Sequence, residues 1–254
     1  MIAHLKNQEA RRAATRGTTL SELMVAMGVL LIMFLVMSTL VSGIRKVFQG
    51  GRSQADSLEN GRAAMDMIVR DIEQMAAAGT SYENFMVSAY SVRPMGPHSL
   101  YQGGEFFCST FGTNWQAIAY GFYDHSGAFN QLTTNVVGKI YRWRSLALPN
   151  NTVALSNLWT TYANAPSTNY SPVVDGVVHF RVQGINLGVP AQPGVRFLSN
   201  SLPTHVEVEL GVLEGRFADN LRGRPLPEQT AMLTANLNKV YLFRQLVPIK
   251  NAHK

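Results

Sequence analysis

Residues 16–45 read RGTTLSELMVAMGVLLIMFLVMSTLVSGIR, and this stretch decides the fold. No charge interrupts the run from Leu23 to Ile44, which lies between Glu22 and Arg45. As a helix, 22 such residues span about 33 Å, the thickness of a bilayer's hydrocarbon core. Arg45 and Lys46 close the run. A secretory signal peptide has a shorter apolar region followed by small residues at its cleavage site. This run is longer, and no such exit follows it. Hydropathy alone leaves two readings: an anchor that is never cut, and an anchor freed from a leader.

Residues 1–17 carry Lys6, Arg11, Arg12 and Arg16 against Glu9, so half of the chain's formal charge of +6 sits in a short basic leader. Basic residues stay on the cytoplasmic side, which puts the N-terminus inside and residues beyond about 50 outside. The high overall pI therefore has a topological cause and is weak support for nucleic-acid binding. Gly28 and Gly43 each lower local helix propensity by about 1 kcal/mol relative to alanine. In hydrocarbon, the need to satisfy every backbone group internally overrides that loss.

The residues Gly17-Thr18-Thr19-Leu20-Ser21-Glu22, between a basic leader and an apolar helix, resemble the type III signal of prepilins. The resemblance implies that a membrane aspartic peptidase cuts after Gly17 and methylates the new amino terminus, Thr18. Leu20 and Leu23 match the apolar positions around Glu22, which becomes the fifth mature residue. Thr18 departs from the Phe or Met most often found first. No proline stands near Thr39, where many major pilins have one; a continuous helix is common among minor pilins and pseudopilins. An ionisable group at the depth of Glu22 costs about 2.5–3.5 kcal/mol on insertion scales and needs a partner. The resemblance supplies one, the free amino terminus of a subunit. Gly17, Leu20 and Glu22 are thus expected to serve peptidase recognition and filament register.

Residues 53–79 read SQADSLENGRAAMDMIVRDIEQMAAAG. Leu58, Met65, Ile68, Ile72 and Met75 recur on one stripe of an amphipathic helix. Arg62 with Asp66, Arg70 with Gln74 and Arg70 with Glu73 are spaced as neighbours on other faces. Gly50-Gly51 is a place where the helix can bend or break; unbroken, residues 20–78 make a rod of roughly 90 Å, with Gly79 a good stop. The DMIVRDIEQ segment resembles that of minor pilins of the PilW type and pseudopilins of the J type.

From residue 80, Gly, Pro, Ser, Thr, Asn and aromatics rise and helical periodicity disappears. Strands are expected at 85–93, 115–123, 137–147, 174–184, 204–213 and 238–247, with turn-rich stretches at 94–104, 124–135, 149–172 and 185–202. Alternation is clearest from His205 to Leu210. The sequences from Val174 to Val182 and from Pro203 to Leu210 resemble strand motifs of the same two pilin groups.

Residue spacing points to no active site. His98, His125, His179 and His205 are scattered, and His179 and His205 read as ordinary sheet positions. Glu207 and Glu209 share a strand face. Glu105 and Asp124 fall in loops that lack a calcium-loop signature. Gly103-Gly104 and the Gly184–Gly188 segment have no phosphate-loop lysine after them. The single cysteine, Cys108, excludes an intrachain disulfide and sits beside Phe106 and Phe107 as a buried or free thiol. Lys139, Tyr141 and Trp143 alternate with Ile140, Arg142 and Arg144. Such interleaving can bind single-stranded nucleic acid, or simply lay cations over rings in a sheet.

The expected fold class is α+β: a long N-terminal helix packed on an antiparallel β-sheet domain. The expected divisions are a cleaved leader (1–17), a transmembrane and filament-core helix (18–45), its amphipathic continuation (46–79) and an exported β-rich domain (80–254). At roughly 175 residues the last is large enough to hold a core. The resemblance implies a structural subunit, not an enzyme, without cofactor or metal. It would sit in a bacterial inner membrane, N-terminus cytoplasmic and C-terminal domain periplasmic, and then in a type IV pilus or a type II secretion pseudopilus. Its partners would be the prepilin peptidase, other pilins through 18–45, the assembly platform and the bilayer; nucleic acid is not expected. Two rivals remain at this level, a membrane-anchored surface- or DNA-binding module and a signal-anchored periplasmic enzyme.

Overall fold

The computed structural model describes residues 19–77, 83–87, 91–95, 98–102, 104–111, 114–124, 135–146, 162, 170–186, 196–198 and 201–250. It divides at Arg52 into an N-terminal unit and a larger unit from Ser53 onward. One helix, α1 (Leu20–Glu73), contributes to both. Helical hydrogen bonding runs through Gly50-Gly51, so of the two readings the unbroken helix is the one observed.

In the N-terminal unit every described residue from Thr19 to Gln49 is exposed. The helix here is long and apolar enough to cross a membrane. Two of its hydroxyls are satisfied along the helix: Thr39 Oγ1 donates to the Val36 carbonyl at 2.8 Å and Ser42 Oγ to that of Ser38 at 2.8 Å. That back-bonding removes a polar cost an apolar medium would otherwise exact.

In the larger unit, Met65, Ile68, Ile72 and Met75 are buried and Leu58 is half-buried, as their spacing predicts. The helix nevertheless ends at Glu73, short of Gly79, which lies outside the described residues. Competing backbone bonds end it. The Ala76 N–H donates to the Ser109 carbonyl at 3.0 Å, the Phe111 N–H donates to that of Gln74 at 3.3 Å, and Met75 bridges Thr110.

Among the described residues the sheet has eight strands, all antiparallel to their neighbours: β1 (Glu83–Val87), β4 (Glu105–Phe111), β5 (Trp115–Asp124), β6 (Gly138–Arg144), β7 (Tyr170–Ile185), β8 (Arg196–Leu198), β9 (His205–Leu213) and β10 (Val240–Pro248). Their spatial order is β10-β9-β7-β6-β5-β4-β1-β8. A separate hairpin joins β2 (Ser91–Met95) and β3 (His98–Gln102). The α+β class is therefore correct, with α1 packed on a mostly antiparallel sheet.

Strand alternation sorts the side chains. Phe106, Ile118, Tyr120, Phe180, Val208 and Leu210 pack with α1 in the main core. Their neighbours Phe107, Ala117 and Ala119 join an aromatic cluster with Tyr123, Trp143, Tyr162 and Tyr170. Gly61 of α1 is buried against the Phe243 ring, which leaves no room for a Cβ at that position. Gly176 has φ +75° and sits where β7 changes register against β6, just before the shift against β9 between Val177 and His179. It is a bulge that L side chains resist. Val174 and Val177, three residues apart on either side of it, both join the main core, while Val178 joins a third cluster with Leu100, Leu213 and Phe217.

Several strand and loop expectations change. β7 begins at Tyr170 and β8 spans Arg196–Leu198, both inside stretches read as turn-rich. The strand expected at 85–93 is two, β1 in the large sheet and β2 in the hairpin, because Phe85 is claimed by the main core and Met95 by the third cluster. The turn-rich stretch 94–104 contains β3, which Gln102 ties to the sheet by donating to the Val136 and Val178 carbonyls at 2.7 and 3.1 Å. Glu105 belongs to β4 and Asp124 closes β5, so neither is in a loop; both strands pair along their length. Two helices, α2 (Gly215–Arg222) and α3 (Leu226–Ala235), fill an interval for which no element is expected.

Candidate functional site

The first described residues form a reciprocal cap. The Thr19 N–H donates to Glu22 Oε2 at 3.0 Å, and the Glu22 N–H donates to Thr19 Oγ1 at 3.4 Å. This is the capping-box arrangement, which satisfies two of the orphan donors at a helix start. A carboxylate in the first turn also complements the positive end of the helix dipole. Glu22 thus has a local structural role beside any intersubunit one. Leu20 opens the helix and is exposed. Gly17 and Thr18 lie outside the described residues.

Where α1 meets the sheet, Asp71 is buried against two donors. Tyr120 Oη donates to Asp71 Oδ2 at 2.5 Å. Arg142 grips the same carboxylate with Nε at 2.8 Å and Nη2 at 3.0 Å. Such two-point guanidinium bonds fix geometry as well as charge. Burial, and then the Asp71 charge, pushes the Tyr120 phenol far up, so it stays a donor. The same two causes push the Cys108 thiol well up, which makes it an inert core residue. Burial is the largest single influence on Arg142 and lowers its pKa, but its bonds to Asp71 and Tyr120 and their charges together more than offset it and leave the pKa raised. Sequence reasoning missed Asp71. Its signal was position: it stands three residues after Ile68, beside Ile72, on the buried stripe.

A second polar cluster lies at the hairpin. His179 Nδ1 accepts from the Tyr101 N–H at 3.2 Å, which fixes the tautomer and leaves Nε2 to donate to Glu209 Oε2 at 3.2 Å. Arg181 donates to that oxygen at 3.2 Å and lies over the Tyr101 ring, 4.9 Å from its centroid. Arg244 bonds Glu207 at 2.5 Å and Glu209 at 3.3 Å. Burial lowers the His179 pKa more than Glu209 raises it. A cavity of about 290 Å³ opens beside this cluster, lined by Leu100, Tyr101, His179, Glu209, Leu237 and Leu242 among others. Both nitrogens of His179 are already engaged, so the ring couples β3 to the sheet.

The other candidates are dispersed. His205 meets Thr204 Oγ1 at 3.3 Å. His98 lies on β3, and His125, Gly103 and Gly188 lie outside the described residues. Glu105 Oε2 accepts from Tyr162 Oη at 2.6 Å. Among the described residues no group of three His, Cys, Asp or Glu could hold a metal. The basic–aromatic interleaving on β6 is committed elsewhere. Lys139 pairs with Asp175 at 3.4 Å, Arg142 holds Asp71, and Arg144 Nε donates to Gln116 at 2.8 Å. Trp143 is buried, so its face is not presented to a base.

No protein-family model matches this chain, and no curated protein matches it. The architecture itself, a long apolar N-terminal helix on an antiparallel sheet, is pilin-like.

Proposed function

We propose that this chain is a minor pilin or pseudopilin, a structural subunit of a type IV pilus or a type II secretion pseudopilus. One observation carries the reading. A single helix is apolar and exposed from Leu23 to Ile44, and from Ser57 onward the same helix forms the spine of an antiparallel sheet domain. A soluble domain has no use for such an uncovered apolar surface, whereas a lipid phase and then a bundle of like helices would each cover it.

In this reading the leader is held on the cytoplasmic side, the sheet domain is periplasmic, and the prepilin peptidase cuts after Gly17. The new amine at Thr18 lies one residue from the Thr19 N–H that Glu22 already accepts. A neighbouring subunit's amine could therefore compete for the same carboxylate, exchanging a local bond for a register-setting ion pair. Exchange of lipid for protein gives little net hydrophobic gain, so that pair and close helix packing would decide register.

The rival DNA-binding reading is weaker, since Lys139 and Arg142 hold carboxylates within the fold. Intact-mass analysis of the membrane-extracted chain, with and without a coexpressed prepilin peptidase, tests the proposal. Loss of residues 1–17 and gain of one methyl at Thr18 is expected. An N-terminus unchanged by the peptidase would sink it.

A further inference from the structure

The β2–β3 hairpin is a sheet of its own, and two neighbouring residues of β3 tie it to β7. Gln102 is tied by its amide group, which donates to the Val178 carbonyl at 3.1 Å and does not titrate. Tyr101 is tied by its backbone, whose N–H donates to His179 Nδ1 at 3.2 Å. That second tie holds only while Nδ1 keeps its lone pair. A backbone N–H cannot accept in return, so a proton on Nδ1 sets one donor against another. His179 is 5% exposed, and a buried donor without its acceptor is strongly disfavoured.

Charged and titratable groups reach the ring from each strand packed on it. Glu209 of β9 accepts from Nε2 at 3.2 Å, and Arg181 of β7 donates to the same Glu209 oxygen at 3.2 Å. Arg244 of β10 bonds both Glu209 and Glu207. The Tyr101 ring of β3 meets the imidazole edge-on, with centroids 5.5 Å apart. Lys239 is turned away, over the Phe217 ring at 4.6 Å. The carboxylate that would favour an imidazolium is thus already matched by two guanidinium groups. Burial outweighs it and holds the closed-state pKa of His179 below the ordinary value of 6.5. A ring released from this seat regains the ordinary value, so falling pH draws the equilibrium toward release.

We propose that His179 is an acid-operated latch on the β2–β3 hairpin: protonation at Nδ1 expels the Tyr101 N–H and lets the Ser99–Tyr101 part of β3 lift from β7. The Nε2 bond to Glu209 becomes charge-assisted, so the ring keeps its place and the hairpin moves. Ser99, Leu100 and Tyr101 form one wall of the cavity of about 290 Å³ beside the ring, and their movement widens it. Gln102 keeps its bonds and Met95 its place in the third cluster, which confines the change. The latch lies within the sheet domain and requires neither leader cleavage nor a filament.

Hydrogen exchange of the full chain in detergent micelles, resolved to single amides by mass spectrometry, tests the latch. Exchange rates are corrected for their intrinsic pH dependence. Protection of the Tyr101 N–H should fall between pH 7.5 and 5.5, by up to about tenfold, the most that one proton taken up near pH 6.5 supplies over that interval. The opening is local, so exchange at Tyr101 should be insensitive to low urea. Val208, buried in β9, should exchange only through global unfolding and so respond to it. His179→Asn puts an amide oxygen near the Nδ1 position but takes up no proton, and should hold Tyr101 equally protected at both pH values. Unchanged protection of Tyr101 in the unsubstituted chain, a fall that shares the urea response of Val208, or a fall that persists in His179→Asn would each overturn the proposal. The first two outcomes need no variant, so the test stands if His179→Asn does not fold.

Discussion

At the scale of single residues, buried charge is concentrated at Asp71. Its carboxylate is the common acceptor for Tyr120 and Arg142, so removing it leaves two donors in the core without their partner. Breaking such a buried pair from one side costs about 3–5 kcal/mol. Asp71→Ala should lose about 3 kcal/mol in denaturant unfolding, since Arg142 retains some access to water. The double variant Asp71→Leu/Arg142→Met should recover most of that loss. His179 supplies a pH dependence of defined sign. Its folded pKa lies below the ordinary value of 6.5, chiefly through burial, so between those two values the unfolded chain binds the extra proton. Stability should fall as pH drops through about 6.5 and level off below the folded pKa. His179→Gln should flatten that part of the profile, measured by unfolding at pH 7.5 and 5.5.

At the scale of elements, period and alternation made most of the architecture legible. The stripe through Met65, Ile68, Ile72 and Met75 is buried as read, and so is the Val206-Val208-Leu210 face. What stayed hidden was decided by contacts distant in sequence. The β2–β3 hairpin is held by Gln102 and by His179, neither of which marks a strand by its own composition. Helix α2 did leave a trace, since Phe217, Ala218 and Leu221 share one face. So did α3, whose Pro227 suits a first helical turn. Both are shorter than the window in which periodicity is most informative. The bulge in β7 rests on one backbone conformation. Gly176→Ala forces a side chain into φ +75° and should cost about 1–2 kcal/mol. A drop of that size in unfolding free energy would support the assignment; an unchanged stability would show that the bulge relaxes.

For the whole molecule, the informative contrast is between the two parts of α1. From Leu20 to Gln49 it buries nothing, while its later turns supply much of the core. Substitutions in the two parts should therefore separate. Glu22→Ala should leave the unfolding of the sheet domain unchanged and be cut normally by prepilin peptidase, yet be missing from filaments when supplied beside the other subunits. Its incorporation at normal levels would remove the register role proposed for Glu22. Ile68→Ala should do the reverse, losing about 2–5 kcal/mol of domain stability while leaving the N-terminal segment as it is. The candidate site was thus legible at its apolar run and at Glu22, whereas the capping bond from Thr19 depends on local geometry that composition does not specify.

The junction after Glu73 has a mechanical consequence. The chain leaves α1 and is stitched at once to β4, through the Gln74–Phe111 and Ala76–Ser109 backbone bonds and the Met75–Thr110 bridge. Tension applied to the N-terminal segment would therefore enter the sheet at β4, an interior strand held by β5 on one side and β1 on the other. The load would be shared along two ladders instead of peeling an edge, and the Asp71 clamp would resist slippage of the helix just upstream of that seam.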